Sequence, residues 1–273
     1  MTRFRTASAA LGVAAAAALA VASGAAPASA ADTSKVSVVH GIPGATVDVY
    51  VNGERTLDNF APGTVAGPLD LPAGTYDLKV VDSNAPDGNS QAVVEAKGVE
   101  VPGGANISVV AHLNAGGQPA LTPFVNDVSK VAAGKAGLVV RHTAAAPAVD
   151  VRANGSVAFA NLENPKEAKA AVPAGTVKAD VVLAGTQTVA IGPADVNLAE
   201  GTSTIVYAIG SAEQKTLAVV PQVIKGLHSV PSGVPAGSGG AADTSMPTGL
   251  LVAGAFGLLL LVAGSTRLWL VRR

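Results

Sequence analysis

The stretch that decides the fold is Val36–His40 (VSVVH) followed by Val47–Gly53 (VDVYVNG), because the chain contains both segments twice. Their second copies are Val139–His142 (VVRH) and Val149–Gly155 (VDVRANG), so the histidine, the Val-Asp-Val triplet and the Asn-Gly pair return after 102 residues (142 minus 40). Repetition of strand-like and turn-like segments at one spacing indicates two copies of a small β domain. The length of 273 residues accommodates two such domains.

The strands and turns of each copy follow the pattern of a β-sandwich. A second marker, Leu71–Tyr76 (LPAGTY), returns as Val172–Val177 (VPAGTV). Turn residues recur about every ten positions, which predicts about seven or eight short strands per copy. The Asn52-Gly53 pair predicts a type I′ hairpin, because both residues tolerate positive φ. The alternation in 46–52 predicts an inward set (Val47, Val49, Val51) and an outward set (Asp48, Tyr50, Asn52).

Three segments stand outside this shared pattern. Residues 126–135 (NDVSKVAAGK) form a short connector, so the two copies are expected to lie close together. Residues 161–170 (NLENPKEAKA) depart from the first copy, and we expect a helical turn there. Residues 91–101 supply one or two strands, with an interruption at Gly98.

The composition limits the classes of function. The net charge is −1 and only 14% of the residues are charged, so no electrostatic argument favours nucleic acid or anionic lipid as a partner. Aromatic residues make up 3% of the chain, so its cores must consist of Val, Leu, Ile and Ala. The chain has no cysteine, which rules out thiol catalysis and disulfides and is typical of an exported bacterial protein rather than a secreted animal one.

The first thirty residues predict export. Residues 1–30 contain Arg3 and Arg5, then an apolar stretch from Ala9 to Val21, and end in Ala28-Ser29-Ala30. A charged region, an apolar region and an A-x-A cleavage site in this order are typical of a signal peptide. We expect the mature chain to begin near Ala31; the alternative is an Ala-rich helix that is retained.

The other end predicts a membrane anchor. Residues 229–248 are a Pro/Gly/Ser stalk, and 249–270 contain an uncharged apolar tract long enough to cross a bilayer as one helix. Arginines follow the tract, so residues 271–273 are expected in the cytoplasm and the domains outside the cell. Ser245–Leu250 (SMPTGL) resembles a sortase signal without the usual Leu-Pro-x-Thr-Gly pentapeptide, so attachment to the cell wall is the alternative localisation.

The pattern Val-x-His, then Val-Asp-Val-x-x-Asn-Gly, then Leu-Pro-Ala-Gly-Thr-Tyr resembles the DUF4397 family. The resemblance covers most of residues 35–224 and departs at Val177, where the family's tyrosine is missing. It implies an Ig-like β-sandwich module of unknown function that often occurs in tandem on exported bacterial proteins, and it transfers no catalytic residue. The predicted fold class is therefore all-β, with two tandem Ig-like β-sandwich domains at 31–130 and 131–228, a signal peptide and one C-terminal transmembrane helix.

The best candidates for chemistry are His40 with Asp48 and the repeated pair, His142 with Asp150. One hypothesis is a metal or acid–base pair at the end of each sandwich, with Asp82 as a further ligand, although the spacing matches no metal motif. The favoured hypothesis is structural: each histidine closes a strand and fixes a loop by pairing with the aspartate or a backbone carbonyl.

The remaining polar clusters give weaker signals. The loop Ser83–Ser90 (SNAPDGNS) with Asp82 carries several oxygen ligands, but Pro86 breaks the EF-hand pattern, so a polar turn is favoured over a calcium loop. His112 and His228 have no partner at a meaningful spacing. The sequence contains neither a G-x-S-x-G elbow nor a phosphate-binding glycine loop. We therefore predict no catalytic, cofactor-binding or metal-binding residues.

These observations favour a membrane-anchored cell-surface protein that is not an enzyme and serves as a binding or envelope-structural module. Its expected partners are the membrane, through the C-terminal helix, and an extracellular protein or a cell-envelope polymer. Two alternatives remain: a passive spacer or surface-layer subunit, and an envelope-polymer hydrolase.

Overall fold

The computed structural model describes residues 32–229, and every regular element in that range is a β-strand. The predicted signal peptide, nearly all of the stalk and the predicted transmembrane segment lie outside the described residues. Within 32–229, the structure has no helix that could span a bilayer.

The strands of the first half are β1 Thr33–His40, β2 Val47–Val51, β3 Glu54–Phe60, β4 Val65–Pro72, β5 Gly74–Asp82, β6 Ala92–Val101, β7 Asn106–Leu113 and β8 Pro119–Val125. Those of the second half are β9 Lys135–His142, β10 Val149–Ala153, β11 Ser156–Leu162, β12 Glu167–Pro173, β13 Gly175–Leu183, β14 Val189–Leu198, β15 Ser203–Ile209 and β16 Ala218–Ile224.

The strands form four sheets of four strands, two in each half. The first half contains the sheets β4-β1-β7-β8 and β3-β2-β5-β6, and the second half contains β12-β9-β15-β16 and β11-β10-β13-β14 in the equivalent order. β1 pairs with β7 and β9 pairs with β15 in parallel, whereas all other pairs of these sheets are antiparallel. The chain between residues 32 and 229 is thus all-β, with sheets arranged as in β-sandwich domains.

Local turn chemistry explains the register of the short hairpins. Asn52 and Gly53 have φ of 50° and 85°, which is the positive φ that a type I′ turn requires. The turn joins Val51 to Glu54, its neighbours in the β2–β3 pair. Asn154 and Gly155 do the same between β10 and β11, with φ of 50° and 81°. The prediction of these turns from the Asn-Gly pairs is confirmed.

Each half buries a core of aliphatic residues between its two sheets. In the first half Val38 of β1 packs with Val49 and Val80 of the opposite sheet. In the second half Val140 of β9 packs with Val151 and Val181. These cores consist mainly of β-branched residues, which suit the pleated surface of a sheet, but Phe60 also enters the core of the first half, where only aliphatic residues were expected.

A further core cluster joins the two halves. Val39 and Val110, from β1 and β7, pack in one cluster with Ile205 and Tyr207 of β15. The sheets that contain β1 and β9 therefore bury both of their faces, one against the other sheet of the same half and one against the other half. The two halves accordingly belong to one compact unit.

Two details of the predicted strand pattern are wrong. Asp48 and Tyr50, expected on the outside, are both buried. The ring of Tyr50 lies against Gly88 in the loop after β5, so this loop covers the outer face of β2. The helical turn expected in 161–170 is absent, because that segment forms the end of β11, a turn at Asn164-Pro165 and the start of β12.

Candidate functional site

His40, the first candidate, ends β1 in a fully buried position. Its Nε2 lies 2.9 Å from the carbonyl oxygen of Ala45, and its ring lies 5.5 Å from the ring of Phe60. Burial lowers the pKa of His40, although the bond to Ala45 opposes this shift. Because a carbonyl can only accept, the Nε2 carries the proton and donates it to the loop that follows β1.

His142 repeats this arrangement in the second half. Its Nε2 lies 3.0 Å from the carbonyl oxygen of Pro147, and its Nδ1 accepts the backbone N–H of Ala144 at 3.4 Å. Burial lowers the pKa of His142 as well. Each histidine therefore fixes the loop that leads to the next strand, and of the two partners considered from the sequence it takes the backbone carbonyl.

The aspartates bind backbone and side-chain donors on the neighbouring strand. Asp48 accepts the backbone N–H of Asn59 at 2.8 Å and the Arg55 guanidinium at 3.1 Å. Asn59 has a positive φ of 52°, and the β2–β3 register shifts between Val47 and Val49. The carboxylate thus holds an irregular, bulged hairpin in place.

Asp150 has the equivalent role with different donors. It accepts the backbone N–H of Asn161 at 2.7 Å and that of Gly185 at 3.0 Å. These two bonds stabilise the carboxylate and lower the pKa of Asp150. The structure therefore places each aspartate in a backbone-binding role, while the Nε2 of each histidine is bonded to a loop carbonyl instead.

The polar loop after β5 satisfies its own side chains. Asp82 accepts the backbone and side-chain N–H groups of Asn84 at 2.8 and 2.9 Å, and the backbone bond is the main reason that the pKa of Asp82 is lowered. Asp87 accepts the backbone N–H of Asn89 at 2.9 Å. The hollow of about 540 Å³ beside this loop is wide open. Among residues 32–229, no three His, Asp or Glu side chains are grouped as a metal site would need.

Tyr50 and Arg152 occupy equivalent positions, on β2 and β10, and each meets the loop that follows the fifth strand of its own half. Arg152 binds Asp180 through its Nε at 2.8 Å, and it reaches Gln187 of that loop at 2.7 Å. Tyr50 contacts Gly88 through its ring. The two side chains therefore fix separate loops and do not line one shared cleft.

The most elaborate polar cluster lies between the two halves, and sequence reasoning missed it. Tyr207 donates its hydroxyl hydrogen to Gln222 Oε1 at 2.6 Å and accepts a bond from Arg141 at 2.8 Å. Ser108 of the first half donates to the same Gln222 oxygen at 2.9 Å and accepts a bond from Asn126. Burial raises the pKa of Tyr207 above its usual value. We call Ser108, Asn126, Arg141, Tyr207 and Gln222 the interface network.

Arg141 also joins the halves by stacking. Its guanidinium lies 4.4 Å from the ring centre of Phe124 on β8, and its Nε binds Glu167 at 2.9 Å. The equivalent position in the first half is Val39, and the position equivalent to Tyr207 is Val110. A small apolar pair on one half thus meets a large polar pair on the other, so the two faces are complementary rather than alike.

His112 belongs to the same buried layer, on the β7 face turned to the second half. Its Nδ1 lies 3.0 Å from the carbonyl oxygen of Leu113 and its Nε2 lies 2.8 Å from Thr122 Oγ1. Burial lowers the pKa of His112. Near the base of the second half, His228 forms a bridge with Val131 of the connector. His112 is thus fully buried and bonded, although its spacing in the sequence indicated no partner, whereas His228 is exposed.

The comparisons with known proteins agree with the sequence resemblance. The family described as "Domain of unknown function (DUF4397)" matches residues 34–152, a range that spans most of β1 through most of β10. No curated protein matches the chain. Residues 34–152 of the chain therefore contain a match to the DUF4397 family.

Proposed function

We propose that this protein is a membrane-anchored cell-surface protein whose two tandem Ig-like sandwiches act as one non-catalytic binding or envelope-structural module. In this proposal residues 1–30 are removed on export, and residues 249–270 hold the module at the membrane with the C-terminus in the cytoplasm. The support for anchoring is the charge and hydropathy of the two terminal segments.

The interface network carries the proposal. A module that presents a surface to a partner needs a fixed geometry, and the buried side chains of Arg141 and Tyr207 set the position of one half against the other. Hydrogen bonds between buried polar groups make a packing arrangement specific. They join Ser108, Arg141, Tyr207 and Gln222, while the Oδ1 of Asn126 accepts none. The two halves therefore present their loops as one rigid body, in contrast to two sandwiches on a free linker.

The placement of the candidate residues supports a role without catalysis. His40 and His142 have lowered pKa values and their Nε2 atoms are bonded to loop carbonyls, while Asp48 and Asp150 hold backbone N–H groups. Removing any of these side chains from its bond would disturb a loop or a hairpin. This use differs from that of a catalytic acid or base, which must reach a substrate proton.

A cross-linking experiment on intact cells tests the binding role. The full chain is cross-linked and purified, and a matched control carries the same terminal segments around an unrelated soluble domain. We expect a stoichiometric extracellular protein or envelope polymer with the full chain only. Recovery of no such partner would contradict a binding role and favour a passive spacer.

Two measurements test the remaining parts of the proposal. Protease added to intact cells should digest the sandwiches and spare the tail, and the mass of the mature chain should match residues 31–273. A chain that ends at Thr248 would instead support sortase attachment to the wall. An envelope-hydrolase activity that is lost on changing His40 and His142 to Gln, with the fold retained, would contradict the non-catalytic assignment.

A further inference from the structure

The second half contains an apolar cleft between its two sheets. The cleft has a volume of about 80 Å³ and is lined by carbon-rich side chains from strands of both sheets, including β9, β13, β14 and β16. The inner positions of a sandwich are normally closed by interdigitating side chains. An open space at this place therefore needs an explanation from the residues that form it.

Comparison with the first half identifies those residues. The strand registers align Tyr76 with Val177 and Leu78 with Ala179 on the fifth strand of each half. They also align Leu121 with Val219 on the eighth strand. At all three positions the second half has the smaller side chain. Three other lining positions are larger in the second half, where Leu138, Ile191 and Leu198 replace Val36, Val94 and Val101. In the first half one tyrosine and two leucines fill this space, and the cleft is the part of it that the three larger side chains of the second half leave unfilled.

The exposure of the walls agrees with this explanation. In the first half β6 and β8 approach each other, and Leu121 packs in clusters with Val94 of β6. In the second half Val219 is 42% exposed, and Val206 is half-buried where its first-half counterpart, Val109, is buried. The sandwich therefore opens between the edge strands β14 and β16, so the cleft can be reached from solvent.

The lining has no polar group free for a polar ligand. The two charged side chains at the cleft, Arg152 and Asp180, bind each other. The guanidinium Nε and Nη2 of Arg152 donate to the two carboxylate oxygens of Asp180. Arg152 also donates to Gln187. The aromatic side chains that would stack on a sugar are absent from the residues lining the cleft. The lining therefore favours a saturated, apolar group.

We infer that this cleft binds an unbranched hydrocarbon chain, supplied by a free amphiphile or by a membrane lipid. Such a chain replaces the aliphatic side chains that fill the same place in the first half. An apolar cavity of about 150 Å³ stays dry and accepts benzene, so a cleft of about 80 Å³ holds fewer carbon atoms, such as the end of a chain that enters from solvent. The inference deepens the proposed binding role, on which it rests, by naming a class of ligand.

The absence of cysteine from the chain makes a direct test available. Ala179→Cys places a single thiol in the cleft of the full chain, held in lipid nanodiscs, and the rate of its modification by a charged thiosulfonate is measured with and without n-octanol. We expect octanol to slow the reaction. The protecting concentration should fall about fourfold for each methylene that enters the cleft, because each buried methylene is worth about 0.8 kcal/mol. This gain should end after the first few methylenes, which fill about 80 Å³.

Two controls make the result specific. Val157→Cys places the thiol on an exposed position of the same half, and octanol should leave its rate unchanged. Val177→Cys should be protected by octanol, whereas the same thiol combined with Ala179→Leu, which restores the leucine of the first half, should lose that protection. The inference is overturned if octanol leaves the modification rates of Ala179→Cys and Val177→Cys unchanged. It is also overturned if octanol changes these rates as much as it changes that of Val157→Cys.

The source of the chain is identified separately. Lipid extracted from the purified full chain and measured by mass spectrometry assigns the ligand to a membrane lipid if it is present in the wild type and lost in Ala179→Leu. Protection by octanol without such a lipid assigns it to a free amphiphile. Failure of both measurements refutes the cleft as a site but leaves the cross-linking test of the proposed function unaffected.

Discussion

Truncation of Arg141 tests whether the interface network holds the halves together. The Arg141 side chain is only 1% exposed, and Arg141→Ala removes its stacking on Phe124 together with its bonds to Tyr207 and Glu167. Deleting a large buried side chain lowers the free energy of unfolding by about 2–5 kcal/mol. Loss of a desolvated cation–π contact accounts for up to about 2 kcal/mol of this decrease.

The partners that remain limit the cost. Tyr207 still donates to Gln222, and the Glu167 side chain is 31% exposed, so water can solvate its carboxylate. The full penalty of an unpaired buried charge therefore does not apply. We expect Arg141→Ala to lower the free energy of unfolding by about 3 kcal/mol, a large fraction of the roughly 5–15 kcal/mol that folded domains possess.

The assay is urea unfolding of a chain that comprises residues 31–228. Far-UV circular dichroism measures the unfolding, because this part of the chain has no tryptophan for fluorescence. The matched control is Lys35→Ala, which breaks an ion pair with Asp70 whose side chains are 54% and 58% exposed and which should change the stability by less than about 1 kcal/mol. A double-mutant cycle with Phe124→Leu isolates the contact between the halves. An Arg141→Ala effect no larger than that of Lys35→Ala would refute the role assigned to the network.

The other predictions concern protonation and close packing. Burial lowers the pKa of three histidines, so the unfolded chain binds protons more readily than the folded one. The folded chain therefore has its full stability above about pH 6.5 and loses stability as the pH falls below that value. Each histidine contributes a loss of at most about 1.4 kcal/mol per pH unit. Thermal unfolding between pH 7.5 and 5 measures this effect for His40, His112 and His142; a flat profile would contradict it, and changing one histidine to Gln should reduce the slope. At the interface a Cβ on Gly41 would lie 2.9 Å from Ile209 Cγ2, so Gly41→Ala should lower the stability by about 1–3 kcal/mol. Gly74→Ala, whose nearest atom would be 3.8 Å away, serves as its control in the same unfolding assay, and equal effects of the two would show that packing is not the cause.

Local features of the fold could be predicted from the sequence. The hairpins at Asn52 and Asn154 depend on the φ that two adjacent residues adopt, so a dipeptide is enough to identify them. The eight strands of each half follow from alternation and turn spacing for the same reason. The family resemblance rested on these local markers and was confirmed over residues 34–152.

Features that depend on distant residues could not be predicted. Tyr50 was expected outside because its strand alternates, but a loop more than thirty residues later (88 minus 50) covers it. Arg141 is buried by contacts with Phe124 and Tyr207, which strand pattern alone does not bring together. One signal was present: near-continuous apolar runs such as ISVVAHL and STIVYAI are typical of strands buried on both faces.

The parallel pairing of β1 with β7 has a consequence for how the chain folds as it is made. Lys35 pairs opposite Asn106, so the strand at the centre of the first sheet obtains one neighbour only after 71 more residues (106 minus 35) have emerged. Until then its apolar edge is open to pairing with other chains, since non-local strand pairs form late and their precursors aggregate readily. The same delay recurs for β9, which waits for β15. The supply of a chaperone that shields newly emerged strands should therefore limit the yield of this protein more than the stability of the folded chain does.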